Sequence, residues 1–372
     1  MSTHKPEWTP KDGGTEFASH VMDGVTGGHD GLPQHAKTVT TRPRPRRRRL
    51  TIDDYVQGVL NQDRMVLART ITLIESNSPA HQEMAQAVLR QLLPHTGGSI
   101  RVGITGVPGV GKSTFIEALG CFLLEQGHRV AVLAVDPTSS VTKGSILGDK
   151  TRMEQLTRDV NAFIRPSPSS GTLGGVGRKS RETMLVCEAA GFDVLLIETV
   201  GVGQSETMVR SMVDFFLLLM LAGAGDELQG IKKGIMELAD TLLINKADGD
   251  NLAPARLAKA DYNRALHYLA PATDGWRTRA YTCSALTGEG IDKIWSIVQD
   301  FQQKTSESGV FAQRRKIQTV AWVYAMIEEH LKQRFFSHPE VVAAQPLVET
   351  SVLNGELTAT MAVQMLLGKF EQ

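Results

Sequence analysis

The sequence predicts an α/β fold, a largely parallel sheet covered by helices on both faces, and two observations carry that reading. From about Ser99 to Gln302, short apolar runs alternate with segments of helical periodicity, the pattern of strand and crossover helix. The runs are Ile100–Thr105, Arg129–Val135, Val194–Ile197, Phe215–Leu221, Thr241–Ile244 and Arg279–Cys283. Nearly every polar motif follows the C-terminal end of one of these runs, where an open parallel sheet receives its ligand.

In chain order, residues 1–50 are rich in Gly, Thr, His and Pro and end in Arg42-Pro43-Arg44-Pro45-Arg46-Arg47-Arg48-Arg49. Such a run cannot build a packed element and reads as a disordered basic arm, a solvated linker in preference to a contact for an acidic partner or RNA. From Thr51, apolar residues recur at helical spacing: Val56, Val59 and Leu60, then Val66, Leu67, Ile71 and Ile74, then Met84, Val88 and Leu92. They predict a helical domain over 51–98, closed by Pro94 and Gly97-Gly98. The sheet domain then occupies 99–305. Over 306–372, Ile317, Val320, Tyr324, Ile327 and Leu331 mark one long amphipathic helix, and Val352 to Phe370 suggests another pair. That arm either caps the sheet domain or forms the interface of a homodimer.

Composition narrows the classes. At 372 residues the chain can bury a substantial core. Lys+Arg and Asp+Glu both total 40, so no global charge argues for a nucleic-acid or membrane partner. Cys121, Cys187 and Cys283 lie far apart, each inside a predicted helix or strand, and read as reduced core thiols. No apolar run reaches the length of a membrane span, and the first residues lack the apolar core of a secretory signal. The expectation is a cytoplasmic enzyme.

Two motifs say what it binds. After the first run comes Gly106-Val107-Pro108-Gly109-Val110-Gly111-Lys112-Ser113, followed by Thr114, the phosphate-loop pattern GxxxxGK[ST] at a strand-to-helix turn. Its glycines let backbone N–H groups turn toward a β-phosphate, Lys112 bridges β- and γ-phosphates, and the Ser113 hydroxyl ligates Mg²⁺. After the fifth run comes Asn245-Lys246-Ala247-Asp248, the NKxD pattern of guanine-binding domains. The Asp248 carboxylate accepts from the guanine ring N–H and exocyclic amine, where adenine offers no matching donors. Asn245 braces the loop and Lys246 lies along the base. The last run leads into Ser284-Ala285, a small-residue loop offering a backbone N–H to the guanine carbonyl. NKAD alone is a common tetrapeptide; its order and spacing after a phosphate loop make the joint reading GTP.

The region between these motifs is less standard. The second run delivers Asp136-Pro137-Thr138-Ser139-Ser140, and the third delivers Glu198-Thr199-Val200-Gly201-Val202-Gly203-Gln204. Glu198 stands where small GTPases carry the aspartate of DxxG, and Gly201 is placed for a backbone N–H to the γ-phosphate. Carboxylates at strand ends facing a phosphate loop are the hard oxygen ligands that Mg²⁺ takes. Asp149, in Leu147-Gly148-Asp149-Lys150-Thr151-Arg152-Met153, is a third candidate. Any one of these acids, standing alone, would read as a helix N-cap or turn residue.

The strings VDPTS, GSILGDKTRM, IRPSPSSGTLGGVGR, ETVGVGQSE, GDELQGIKKG and NKADGD resemble the chaperone GTPases of adenosylcobalamin-dependent acyl-CoA mutases, the MeaB/ArgK/methylmalonic-aciduria-type-A group. The resemblance runs from about Thr51 to the C-terminus, weakening after Phe301. It implies a metallochaperone-like P-loop GTPase, homodimeric through its C-terminal arm, that gates cofactor loading and protects or reactivates a methylmalonyl-CoA mutase or related enzyme. Carried onto matching positions, Ser113, Asp136, Asp149 and Glu198 hold Mg²⁺, Lys112 serves the phosphates, and Lys232 sits in a switch loop answering to the mutase. Cobalamin belongs to the partner, since no DxHxxG-type string is present. Where Ras-like proteins place a water-orienting Gln, this chain has Val202, with Gln204 two residues on, so unassisted turnover is expected to be slow. Two other classes stay open. A metal-insertion GTPase of the same superfamily would carry a His-rich tract or paired Cys/His ligands, whereas the ten histidines here are scattered. An ATP-driven kinase or transport subunit would need adenine recognition, which NKAD does not provide.

Overall fold

The computed structural model describes residues 50–135, 153–166, 173–199, 205–223 and 234–371. The basic segment, Asp136, Asp149, Gly201, Val202, Gln204 and Lys232 lie outside the described residues. Residues 50–372 group as one unit.

Seven parallel strands form one sheet in the order β3-β2-β4-β1-β5-β6-β7. They are β1 (Ile100–Gly106), β2 (Val130–Val135), β3 (Ala162–Arg165), β4 (Val194–Thr199), β5 (Phe215–Met220), β6 (Thr241–Ile244) and β7 (Arg279–Thr282). Six of them fall on the apolar runs, because a parallel strand buried on both faces needs an almost unbroken apolar sequence. In β5 all six residues, Phe-Phe-Leu-Leu-Leu-Met, are buried. The edge strand β3 is an addition to the sequence reading. It is four residues long and half of it is only partly buried, so it leaves little apolar signature.

Helices cover both faces. On one, α4 (Lys112–Glu125), α5 (Glu154–Arg158) and α9 (Ile291–Glu307) enclose a core around Phe115, Ile116, Leu119, Trp295, Val298 and Phe301. On the other lie α6 (Leu173–Ala189), α7 (Ser205–Arg210) and α8 (Leu252–Leu266), with α1 (Ile52–Leu60), α2 (Arg64–Glu75) and α3 (Pro79–Leu92) adding Val59, Leu67, Ile71, Ile74, Val88 and Leu92 to the same core. A capping box between Thr51 and Asp54 starts α1, and the Asp63 carboxylate caps α2.

The C-terminal arm is α10 (Val310–Phe336), α11 (Pro339–Leu353) and α12 (Ala359–Phe370). The expected long helix is α10. The pair suggested over Val352 to Phe370 is wider than the periodicity implies: its first helix begins at Pro339 and runs through Pro346, a residue that ordinarily argues against a helix interior. The base of α10 is fastened to the N-terminal ends of the central strands. Arg315 makes a two-pronged pair with Asp214 (2.8 and 2.6 Å), and Gln318 Nε2 donates to Val213 O (2.8 Å). Beyond this base Ile317, Val320, Tyr324, Ile327 and Leu331 are all exposed.

Candidate functional site

Strand β1 ends against Leu219 of β5 and turns at once into the phosphate loop. A Cβ on Gly106 would stand 2.6 Å from the Leu219 carbonyl oxygen, so this turn admits only glycine. Gly111 closes the loop with φ of 91°, and a Cβ there would meet Asn245 Nδ2 at 2.8 Å. Between them the fully buried Val110 pins the loop to the core, while Pro108 and Gly109 face solvent. Helix α4 begins at Lys112, held down by Phe115, Ile116, Leu119 and Leu123, so its N-terminus presents Lys112, Ser113 and Thr114. That arrangement turns backbone N–H groups and the positive end of a helix dipole toward an anion. Lys112 Nζ curls back over the loop and donates to the carbonyls of Gly106 (2.9 Å) and Val107 (3.4 Å).

From the neighbouring strand β4, Glu198 reaches the same helix terminus. It is 8 % exposed, and its Oε1 accepts from the Ser113 hydroxyl at 3.2 Å. A hydroxyl and a carboxylate oxygen side by side above a phosphate loop suit Mg²⁺, which binds through few protein oxygens and keeps the rest of its shell for phosphate and water. Adjacent ligands of an octahedral ion at about 2.1 Å lie roughly 3 Å apart, so the observed spacing fits such an ion. Asp136 and Asp149, the other expected ligands, lie outside the described residues. Among the described residues no group of three or more His, Cys, Asp or Glu could hold a metal.

Strand β6 carries the second motif. Asn245, 1 % exposed, joins three loops: its Nδ2 donates to Val110 O in the phosphate loop (2.9 Å), and its Oδ1 accepts from Ala285 N (3.1 Å) and from the Cys283 thiol (3.4 Å). Lys246 is exposed and takes a left-handed φ of 58°, which carries its side chain toward Gly111. Asp248 is half-buried, and one carboxylate oxygen accepts a short bond from the Ser284 hydroxyl, which itself accepts from Thr287 N (3.1 Å). Phosphate loop, NKAD and Ser284-Ala285 thus meet at one mouth at the C-terminal ends of β1, β6 and β7. Within that small-residue loop the Ala285 N–H is given to Asn245 Oδ1.

Two contacts at Asn245 escape the sequence. Val110 supplies the carbonyl through which Asn245 ties base loop to phosphate loop, 135 residues apart in sequence. Cys283, assigned to the core by its apolar neighbours, also donates to Asn245; burial pushes its thiol up to about 12, so it stays protonated as that bond requires. Burial likewise raises Cys187, and all three cysteines are free.

Comparison with known proteins extends this geometry. The family described as "Methylmalonyl Co-A mutase-associated GTPase MeaB" matches residues 67–340, from the second helix through the long helix of the arm. A putative GTPase of Caulobacter vibrioides is 54 % identical over 321 residues, covering 86 % of this chain and 98 % of its own. The mitochondrial methylmalonic aciduria type A homolog of Mus musculus is 46 % identical over 330 residues, covering 86 % of this chain and 80 % of its own. The crystal structure of a protein named LAO/AO transport system kinase superposes with a TM-score of 0.69 at 39 % identity, covering 86 % of this chain and 98 % of that one.

Proposed function

The chain belongs to the MeaB family of methylmalonyl-CoA mutase-associated GTPases and binds and hydrolyses GTP; from that premise we propose that it is the G-protein chaperone of an adenosylcobalamin-dependent acyl-CoA mutase, acting as a homodimer. In this reading it gates loading of the mutase cofactor and protects or reactivates the enzyme. The family match, which spans both nucleotide loops and the long helix of the arm, supports the partner assignment. The junction at Asn245 supports the nucleotide assignment, because one buried carboxamide sets the phosphate and base loops at a fixed distance.

The roles follow from the geometry. A nucleotide phosphate entering the loop takes over the bonds Lys112 now gives to Gly106 and Val107, so the lysine arrives pre-aimed. Ser113 and Glu198, with Asp136 and Asp149, would hold Mg²⁺, which when bound neutralises charge on the β- and γ-phosphates. Asp248, steadied by Ser284, reads the guanine edge, with Asn245, Lys246, Ser284 and Ala285 shaping its loop. The same carboxylate speaks against ATP, and so against carrying over to this chain the kinase activity for which its solved relative is named. Gly201 serves the γ-phosphate, and with Val202 in the water-orienting position the isolated protein turns over slowly.

Steady-state phosphate release, with and without purified adenosylcobalamin mutases, tests the proposal. The cognate mutase should raise turnover by roughly tenfold or more, as activating proteins do for other GTPases. Lys232→Ala should blunt that rise while leaving GDP binding intact. No stimulation by any acyl-CoA mutase of this class would remove the chaperone assignment.

A further inference from the structure

The two strands that meet at the hydrolytic site part company just below it. The β1–β4 ladder runs in register from Ile100↔Val194 to Ile104↔Glu198 and stops. Beyond that rung β1 stays with β5 as far as Gly106↔Leu219, while β4 stays with β2 as far as Val135↔Thr199. The sheet therefore opens between β1 and β4 where one strand becomes the phosphate loop and the other delivers Glu198. Such a split is the crevice of an open α/β sheet, and it leaves β1 and β4 without a ladder pairing beyond the Ile104↔Glu198 rung.

A buried side-chain bond spans the gap just beyond the last rung. The Thr199 hydroxyl donates to the Thr105 hydroxyl oxygen at 2.7 Å, and the two residues are 0 % and 1 % exposed. Thr105 directly precedes Gly106, and Thr199 directly follows Glu198. Apolar carbons in contact prefer about 3.5–4.0 Å, so an apolar pair at these positions would stand roughly 1 Å further apart. A buried polar pair also costs more to disrupt than to keep, because water cannot replace the missing partner.

We propose that the Thr105–Thr199 hydroxyl pair is a positioning device for GTP hydrolysis: it closes the split between β1 and β4 and so sets the Glu198 carboxylate against Ser113. Neither threonine touches nucleotide; both act through their neighbours. The inference rests on the reading of Ser113 and Glu198 as the metal-holding pair.

Four variants of the full chain test it: Thr199→Val, Thr105→Val, Thr199→Ser and Glu198→Gln. Two readouts are taken, kcat and KM for GTP, and the rate of release of a fluorescent GDP analogue with Mg²⁺ or with EDTA. Thr199→Val should lower kcat by about tenfold, the net worth of one such bond, with KM moved by less than about twofold. The slowing of GDP release by Mg²⁺ should shrink by a similar factor, while release in EDTA stays as in the wild type. Thr105→Val should show the same signature from the opposite strand and carries the test if Thr199→Val does not fold. Thr199→Ser keeps the hydroxyl and should restore both readouts. A Thr199→Val protein, or a folded Thr105→Val protein, with unchanged kcat and Mg²⁺ effect overturns the proposal, as does a Ser variant as defective as Val, which would make the site one of packing. Loss of the Mg²⁺ effect in Glu198→Gln alone sinks this inference and leaves the metal reading standing; no loss in Glu198→Gln removes both.

Discussion

Replacing Arg315 with alanine should destabilise the sheet unit far more than an arm residue at the surface would. Its guanidinium gives Nε and Nη2 to the two oxygens of Asp214 and also reaches Gly97 O (2.7 Å) and Ser99 O (2.6 Å). Asp214 has a side chain only 1 % exposed and also accepts from Arg101 N at 2.9 Å. Burial alone would lower the Arg315 pKa, but the bonds and charge of Asp214 outweigh it and hold the guanidinium above its ordinary value. Alanine would leave a buried carboxylate facing one backbone N–H. Breaking a buried pair in this way costs about 3–5 kcal/mol, a large part of the roughly 5–15 kcal/mol that a domain has in hand. At about 2 °C per kcal/mol for a unit of this size, the melting temperature should fall by about 6–10 °C. Differential scanning calorimetry measures it. Arg64→Ala is the control: that arginine makes one exposed bond, to Asp159 O at 2.8 Å, worth under about 1 kcal/mol. Adding Asp214→Asn to Arg315→Ala should recover part of the loss by removing the stranded charge. A melting temperature within about 1 °C of wild type, or a double variant additively worse than either single, would refute the reasoning.

Asp248→Asn should weaken GTP binding and favour xanthosine triphosphate, because an amide donates to the xanthine carbonyl where guanine carries an amine; competition binding checks it, and unchanged GTP affinity removes the guanine assignment. For Glu188, burial alone would raise the carboxyl, but donors from Arg101, Ser99 and Gly97 outweigh it and set its pKa below the ordinary value. The stabilisation is therefore complete above the unfolded value of about 4.3 and is lost as pH falls through the lower folded value. Glu188→Gln should melt lower than wild type at neutral pH and converge with it in acid; parallel curves across the acid range would contradict this. Ile327→Glu, on the exposed stripe of α10, should turn the proposed dimer into monomers by light scattering while basal GTP hydrolysis is unchanged.

Legibility in the sequence follows the range of the interactions. Gly106 to Ser113 and Asn245 to Asp248 are read from contiguous residues, because each loop's chemistry is set by its own backbone and by the strand before it. The bond from Asn245 to Val110 is not, since nothing local to either residue specifies a partner 135 positions away. Glu198 is legible from its place after an apolar run, and its contact with Ser113 follows once β1 and β4 are neighbours; that adjacency is set by the crossover through β2 and β3, and β3 itself leaves too faint a trace. In the arm, Pro346 masks the start of α11, because an interior proline costs a helix a hydrogen bond that tertiary packing of Val341 and Val348 here offsets.

The base of the arm is the least legible part, and the reason is topological. In a parallel sheet all the strand C-termini lie at one end, and loops that hold a ligand occupy it, so accessory helices must be fastened at the other end. There the first strand residues leave N–H groups that a buried carboxylate can take. Asp214 takes Arg101 N and Asp240 takes Phe216 N, both at 2.9 Å. Each acid, once buried, needs a cation, and the chain supplies Arg315 to the first and Arg210 and Arg314 to the second. Arg210 closes α7, whose last carbonyl lies 3.4 Å from the Gln318 amide of α10, so strand cap, helix α7 and arm share one set of bonds. In the sequence Arg314 and Arg315 look like any exposed pair at the start of an amphipathic helix. Their acidic partners, Asp240 and Asp214, lie far upstream in the turns before β6 and β5, and only the order of strands in the sheet brings them together.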